Sequence, residues 1–317
     1  MFRALVTGGA GFIGSNLANT LHTQGWNVEI IDDMSNGHKQ FLHVDLRSMR
    51  FWQEDFTCYE VLKKIENREY DYVFHLAANP RVGYSVEKPV ETHEVNVFKT
   101  LRLIDACKGN IKRFIFAASS ASYGEPEIIP TDESKPSLPK SPYALQKLIV
   151  ENYLKFYSEF HNLDSACLRF FNVFGPNQLG GSPYSTAISA WLTAIMQKKS
   201  MRSDGDGSQT RDMCYVDNVV DCLVRSALVK QPLNAEVINV GTGESVSNLQ
   251  ILKYLTSRYP NASFHNAPWR PGDVKHTRAD ISKAKKLINY DPKVNVWQGL
   301  DKTAEWYENN WSWLKNL

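Results

Sequence analysis

The feature that most narrows the fold is the opening stretch RALVTGGAGFIGSNL. An apolar run ends there in Gly8, Gly11 and Gly14, and a helical pattern follows. Glycines at a strand-to-helix junction permit a tight turn, let backbone come close to a pyrophosphate, and let the helix pack closely on the strand. The open helix N-terminus favours negative charge, because its first N–H groups have no partner within the helix. The spacing is G-x-x-G-x-x-G, where the commonest dinucleotide fingerprint is G-x-G-x-x-G. The next apolar run, NVEIID, ends in Asp32, whose carboxylate can accept hydrogen bonds from an adenosine ribose. Asp33 beside it repels a 2′-phosphate, so NAD is expected over NADP. Asp55 and Phe56, after a third short strand, could hold the adenine; Asp45 is a rival but stands too far before the next strand. The plain alternative is a strand–helix turn that binds nothing.

The first half alternates short β-rich runs (3–8, 27–32, 70–78, 112–119, 164–172) with helical stretches (14–25, 95–109), and 235–243 reads as one more buried strand. That alternation predicts right-handed βαβ crossovers and a parallel sheet, an α/β fold. The second half is less regular. Stretches rich in glycine, proline and serine at 175–185, 203–209 and 267–273 read as loops around a smaller domain, and the terminal WYENNWSWLKNL reads as an amphipathic helix.

Composition removes other classes. The 317 residues carry 36 basic and 34 acidic side chains, so no bulk field draws nucleic acid or an anionic membrane. Cys58, Cys107, Cys167, Cys214 and Cys222 are scattered without C-x-x-C spacing, which argues against a disulfide framework or a metal site. No leader pattern opens the chain and no apolar run is long enough to span a bilayer, so a soluble cytoplasmic protein is expected.

Tyr-x-x-x-Lys occurs three times, as Tyr59/Lys63, Tyr84/Lys88 and Tyr143/Lys147, and each could be a surface pair one helical turn apart. Only the third follows a strand that ends in serines, at the sheet edge where open α/β folds bind ligands. A free phenol titrates near 10, so a base useful at neutrality needs about three units of depression, roughly 4 kcal/mol. A lysine ammonium and a cationic nicotinamide ring can supply it together. A serine hydroxyl, Ser119, would then relay the proton of a substrate alcohol.

TGGAGFIG, HLAA, SSASYG, SPYALQK and RFFNVFGP together resemble the extended short-chain dehydrogenase/reductase superfamily, and within it the NAD-dependent nucleotide-sugar epimerase/dehydratase family. The resemblance spans nearly the whole chain. It implies a Rossmann-type doubly wound parallel sheet in 1–174 and about 212–242, with a smaller α/β domain for the nucleotide sugar in 175–211 and 243–317. It makes Tyr143 the base, Lys147 its electrostatic partner and a ligand of the nicotinamide ribose, and Ser119 the helper. It implies NAD contacts at Phe12 and Ile13 beside the glycines, at Met34, Ser35, Asn36 and Gly37 after the two aspartates, at Leu76, Ala77 and Ala78, and at Phe170. Four of these positions depart from the common pattern: Met34, Asn36, Phe170, and Glu54 before Asp55.

For the substrate, the resemblance implies a UDP-sugar, with Asn172 on the diphosphate, Arg211 on phosphate, and Arg270 with Asp273 clamping phosphate and ribose. Val82, Ser120, Ser185 and Thr186 approach the sugar or nucleotide in the same picture. Dehydratases and decarboxylases of the family place acids just after the helper hydroxyl; this chain has Ser120 and Ala121. Return of hydride to the other face of a 4-keto sugar is then the expected outcome, a 4-epimerase. Thr277, where glucose-restricted members carry tyrosine, leaves room for an acetamido group, which favours UDP-GlcNAc and UDP-GalNAc, with UDP-Glc and UDP-Gal alongside. The competing readings are a UDP-uronic acid 4-epimerase using Arg81 and a non-catalytic NAD-binding regulator. A homodimer through helices at 95–108 and 143–159 is the family expectation.

Overall fold

Central strands such as RFIFAAS are apolar at nearly every position, a pattern that fits strands covered on both faces. The computed structural model describes residues 1–42, 49–181, 185–269 and 274–317. Its strands are Arg3–Thr7 (β1), Asn27–Ile31 (β2), Arg50–Trp52 (β3), Tyr72–His75 (β4), Arg113–Ser119 (β5), Ser165–Phe170 (β6) and Asn172–Phe174 (β7). Met201–Asp204 (β8), Thr210–Arg211 (β9), Met213–Tyr215 (β10), Glu236–Val240 (β11), Val246–Ser247 (β12) and Phe264–Ala267 (β13) follow. The helices are Phe12–Thr23 (α1), Tyr59–Glu66 (α2), Val82–Glu87 (α3), Pro89–His93 (α4), Thr100–Cys107 (α5) and Pro142–His161 (α6). After them come Ala187–Met196 (α7), Val216–Leu228 (α8), Asn248–Arg258 (α9), Ser282–Ile288 (α10) and Val296–Leu314 (α11).

Seven strands form one parallel sheet in the order β3-β2-β1-β4-β5-β6-β11, the doubly wound Rossmann arrangement with one strand added. Alternate side chains serve opposite faces. Ala4, Val6, Ile115, Ala117 and Leu168 join the core that includes Leu17 and Leu21 of α1 and much of α8. Leu5, Phe114, Phe116 and Cys167 join the core under α2, α5 and α6. Because all seven strands point the same way, the loops after β1, β2, β4, β5 and β6 gather at one edge. Chain order reverses there between β1 and β4, which opens a crevice.

Among the described residues, three two-stranded pairings lie outside this sheet: β7 with β10, β9 with β12, and β8 with β13. Helix α11 starts at a capping box, where Asn295 accepts from the N–H groups of Trp297 and Gln298. It packs Trp306 edge-on and Trp313 tilted against Phe41, with centroids 6.2 and 6.0 Å away.

Several predicted extents differ. The strand expected over 70–78 stops at His75, because Leu76 and Ala77 turn to donate to Thr7. The run 164–172 is two strands, broken where the Phe171 N–H bonds to Val240. The helix expected over 95–109 begins with a π-helical turn at Glu94–Lys99 before α5. Residues 203–204 and 267, expected in loops, end β8 and β13, which pair with each other. Among the described residues, no helix is long and apolar enough to cross a membrane, and no group of His, Cys, Asp or Glu could hold a metal ion.

Candidate active site

At the end of β1, Gly8 adopts φ +67, and a Cβ there would stand 2.7 Å from the Ala77 nitrogen. A Cβ on Gly14 would meet the Gly8 carbonyl oxygen at 2.1 Å, so the first turn of α1 must be glycine to pack on the strand. Gly11 is the N-cap and no side chain caps it, which leaves the N–H groups of the Phe12–Ile13 turn as an anion site. These features fit a dinucleotide pyrophosphate.

Asp32 closes the adjacent strand. Its Oδ2 accepts the Ala10 N–H at 3.0 Å and its Oδ1 the Met34 N–H at 2.9 Å, while burial pushes its pKa up against those bonds. A carboxylate has about four acceptor sites, so two remain for ribose hydroxyls. Asp33 accepts from the Ser35 N–H at 2.9 Å in an exposed loop, and Met34 takes the left-handed conformation. Gly37 packs on Asp32, where a Cβ would come within 2.8 Å of Oδ1. Asp55 is half-buried and paired with Lys99 at 2.7 Å. The Phe56 ring packs in the core, 5.0 Å from the His75 ring, so only its backbone can meet an adenine. Asp45 lies outside the described residues.

His75 is fully enclosed, bonded through Nδ1 to Thr7 Oγ1 at 2.7 Å and through Nε2 to Thr100 Oγ1 at 2.9 Å. Burial pushes its pKa down to about 3, so it is a neutral post under the Leu76–Ala78 loop. That loop is tied to α6 by Asn96, which the π-helical turn carries. Its Oδ1 accepts the Asn79 N–H at 2.7 Å and its Nδ2 donates to Gln146 Oε1 at 2.8 Å.

The catalytic candidates meet at the ends of β5 and α6. Ser119 is the last residue of β5, and in register it faces Phe170 at the end of β6. Its Oγ accepts the Ala121 N–H at 3.2 Å, which places Ser120 in the short turn that follows. Tyr143 stands in the first turn of α6, after the cap Ser141 and Pro142 at the first helical position. Its N–H donates to Ser85 Oγ at 3.1 Å. Lys147 is 4% exposed; its Nζ donates to the Ala117 carbonyl at 2.7 Å and lies 5.9 Å from the centre of the Tyr143 ring.

Burial dominates the electrostatics of this pair. Burial holds the Tyr143 phenol above its usual value, opposed only by a hydrogen bond with Ser119. Burial also pulls Lys147 down to about 7, opposed by the charge of Glu151. The other two Tyr/Lys pairs are surface features: Tyr59 is 74% exposed, and the Tyr84 hydroxyl bonds to Glu91.

Of the substrate candidates, Asn172, Arg211 and Thr277 come together. Thr277 Oγ1 donates to Asn172 Oδ1 at 3.4 Å, and its N–H bonds to the Thr210 carbonyl at 3.0 Å. Arg211 Nη1 donates to the carbonyls of Thr210 and Lys275, at 3.0 Å each. Sequence reasoning missed their organiser, Asp212, which is fully buried. Its carboxylate accepts from the N–H groups of Thr242, Gly243 and Ala279 and from the Thr242 hydroxyl, while its carbonyl takes the Asn172 N–H. Ser185 donates to the Leu179 carbonyl at 3.3 Å, and Thr186 stands at the N-cap of α7 with its hydroxyl bonded to the Ser189 hydroxyl at 3.0 Å. Val82 is 47% exposed at the start of α3. Arg270 and Asp273 lie outside the described residues. Arg81 Nη2 donates to Asn36 Oδ1 at 2.7 Å, in the loop after β2.

The sequence profile of the NAD dependent epimerase/dehydratase family matches residues 4–241. A UDP-glucose 4-epimerase of Mycolicibacterium smegmatis is 33% identical over 316 residues, covering 97% of this chain and 99% of that one. Among solved structures, a UDP-N-acetylglucosamine 4-epimerase from Methanobrevibacter ruminantium, in complex with UDP-N-acetylmuramic acid, superposes with a TM-score of 0.92 at 36% identity, over 98% of this chain and 99% of that one. A UDP-glucuronic acid 4-epimerase from Bacillus cereus, in complex with UDP-glucuronic acid and NAD, gives 0.88 at 31% identity, over 97% and 99%.

Proposed function

The chain belongs to the NAD-dependent epimerase/dehydratase family, and from that premise we propose that it inverts C4 of a UDP-hexose, UDP-GlcNAc and UDP-GalNAc first, with UDP-Glc and UDP-Gal as a second pair. The observation that carries the reading is the meeting of Ser119, Tyr143 and Lys147 at the sheet edge, followed by Ser120 and Ala121, neither of which is a strong acid or base.

Gly8, Gly11, Gly14, Asp32 and the Leu76–Ala78 loop would hold NAD. Bound NAD supplies a hydride acceptor at C4 and a cationic ring that lowers the cost of a phenolate nearby. Tyr143 takes the proton of the 4-hydroxyl as the C4–H electron pair leaves, and Ser119 shares that proton through its bond to the phenol. Lys147, fixed by the Ala117 carbonyl, sets the charge beneath Tyr143. With no acid beside Ser119 to eliminate water or assist loss of carbon dioxide, the 4-keto sugar is reduced again, and Tyr143 returns the proton.

The nucleotide sugar is assigned to 175–211 and 243–317, with Arg211 and Asn172 on the phosphates. Thr277 borders Asn172, where a small side chain leaves space for an acetamido group. Similarity to a UDP-N-acetylglucosamine 4-epimerase supports this choice. The test is a panel of UDP-sugars with C4 stereoisomers resolved, run on the wild type and Thr277→Tyr. Thr277→Tyr should lower turnover of the acetylated pair at least tenfold more than that of UDP-Glc and UDP-Gal. Equal losses would remove the steric gate, and a stable dehydrated or decarboxylated product would remove the epimerase.

The homodimer belongs to the same proposal. Leu145, Tyr153, Phe156 and Phe160 form one exposed stripe along α6, with Phe98 nearby at 52% exposure, an apolar surface that a second copy would cover.

A further inference from the structure

We propose that Asn239 and Tyr123 are positioning residues for the sugar: their side chains pin the segment that follows Thr277 to the turn that Ser119 caps. The inference rests on the reading above that Thr277 borders the sugar, and it names what sets the distance between that wall and the proton-handling groups.

The amide of Asn239 carries the first part of the argument. It lies on β11 and is fully buried. Its Nδ2 donates to the Thr131 carbonyl at 2.9 Å and to the Asp280 carbonyl at 3.2 Å, while its Oδ1 accepts the Tyr123 hydroxyl at 2.8 Å. Carbonyls only accept, so the two that flank Nδ2 fix which way the amide points. One side chain thus joins three segments that are far apart in the sequence. Two of them are also bonded to each other. The Thr131 N–H donates to the Arg278 carbonyl at 2.8 Å, and the Asp280 N–H donates to the Thr131 carbonyl at 2.9 Å.

The two ends of this link carry the second part. On the substrate side, Thr277 directly precedes the segment, and the Ala279 N–H within it donates to buried Asp212 at 3.1 Å. Asp212 and Asn239 are therefore two buried groups that hold one short segment. On the other side, Tyr123 closes the turn that begins at Ser119, whose Oγ accepts the Ala121 N–H. The Arg169 guanidinium lies over the Tyr123 ring at 4.4 Å, and Arg169 faces Asn239 in register across β6 and β11. Burial raises the Tyr123 pKa to about 12, so the hydroxyl stays protonated and donates to the amide.

A plain brace of the sheet edge is the competing role, and the main chain already fills it. Among the described residues β11 is an end strand of the sheet, and the Asn239 N–H donates to Glu133 Oε1 at 2.7 Å. The side chain is left for the link. Its purpose follows from the chemistry, because a reacting carbon displaced by about 1 Å can lose about 10²-fold in rate. The Thr277 hydroxyl meets Asn172 only at 3.4 Å, so the firm bonds on either side of residue 279 fix where this wall stands.

The test compares wild type, Tyr123→Phe, Asn239→Ala, their double variant and Thr277→Tyr, with kcat and KM measured on UDP-GlcNAc and on UDP-Glc. Asn239→Ala should lower kcat for UDP-GlcNAc about 10- to 100-fold. Only the acetylated sugar fills the space beside Thr277, so the ratio of kcat/KM for UDP-GlcNAc to that for UDP-Glc should fall about tenfold. That ratio does not depend on the folded fraction, since both sugars meet the same preparation. Tyr123→Phe keeps its ring under Arg169 and should lower the ratio by less. The double variant should go no further than Asn239→Ala, because both substitutions break one link. A ratio that does not fall overturns the inference, and equal losses on both sugars would make Asn239 a brace of the sheet edge only. Additive effects in the double variant overturn it as well. Should Asn239→Ala not fold, Tyr123→Phe decides alone. If Thr277→Tyr moves the ratio and the other variants do not, this inference alone fails. If Thr277→Tyr leaves the ratio unmoved, or the wild type epimerises neither sugar, the reading beneath fails and takes the inference with it.

Discussion

Tyr143→Phe should lower epimerisation by about 10²- to 10⁴-fold, the range for loss of a positioned acid–base group. The chain should still fold and still carry its dinucleotide. The ring is kept, and the bond that seats this residue on Ser85 uses the main-chain N–H, which phenylalanine also has. The only group lost is the hydroxyl that bonds to Ser119. Loss of turnover with retained NAD thus separates a catalytic phenol from a structural one. A variant that keeps near-wild-type turnover would return the chain to the class of NAD-binding regulators.

The second large effect is expected at Glu151, one turn beyond Lys147 on α6. Its carboxylate is bonded by Arg169 through Nε at 2.9 Å and Nη2 at 2.6 Å, and both side chains are 4% exposed. Arg169 also lies over the Tyr123 ring at 4.4 Å and donates to Ser137. Removing one member of a buried pair leaves the other charged and unpaired, a cost of about 3–5 kcal/mol. Glu151→Ala should therefore lower Tm by roughly 5–8 °C in a chain of this length. Replacing both residues, as Glu151→Met with Arg169→Leu, should recover most of that loss, because neither charge then remains buried. A second readout follows from the sign of the electrostatics. Glu151 opposes the burial that pulls Lys147 down, so Glu151→Gln should move the alkaline limb of the pH–turnover profile to lower pH. An unshifted limb would show that Glu151 serves stability alone.

What could be read from the sequence follows from how local each signal is. The glycine turn, the apolar runs of β1, β2 and β5, and the spacing of Tyr143 and Lys147 are properties of short segments, and they appear in the fold as expected. The break at Phe171 was hidden, because the polar residues Ser165 and Arg169 in this buried run follow no alternation that marks where it changes sheets. The pairing of β8 with β13 joins segments about sixty residues apart, with no turn signal linking them. Asp212 escaped notice for the same reason: its donors come from 242, 243 and 279. The influence of Lys147 on Tyr143 was legible as proximity. Its net outcome was not, since desolvation depends on what covers both groups.

The central claim is that hydrogen leaves C4 and returns to C4 on the opposite face, without exchange with water. UDP-GlcNAc labelled with deuterium at C4, incubated with the intact protein in ordinary water, tests it directly. The account predicts UDP-GalNAc that keeps the label on the inverted carbon. Product that has lost the deuterium to solvent, or a labelled sugar altered at C5 and C6 with C4 left as a ketone, would contradict it.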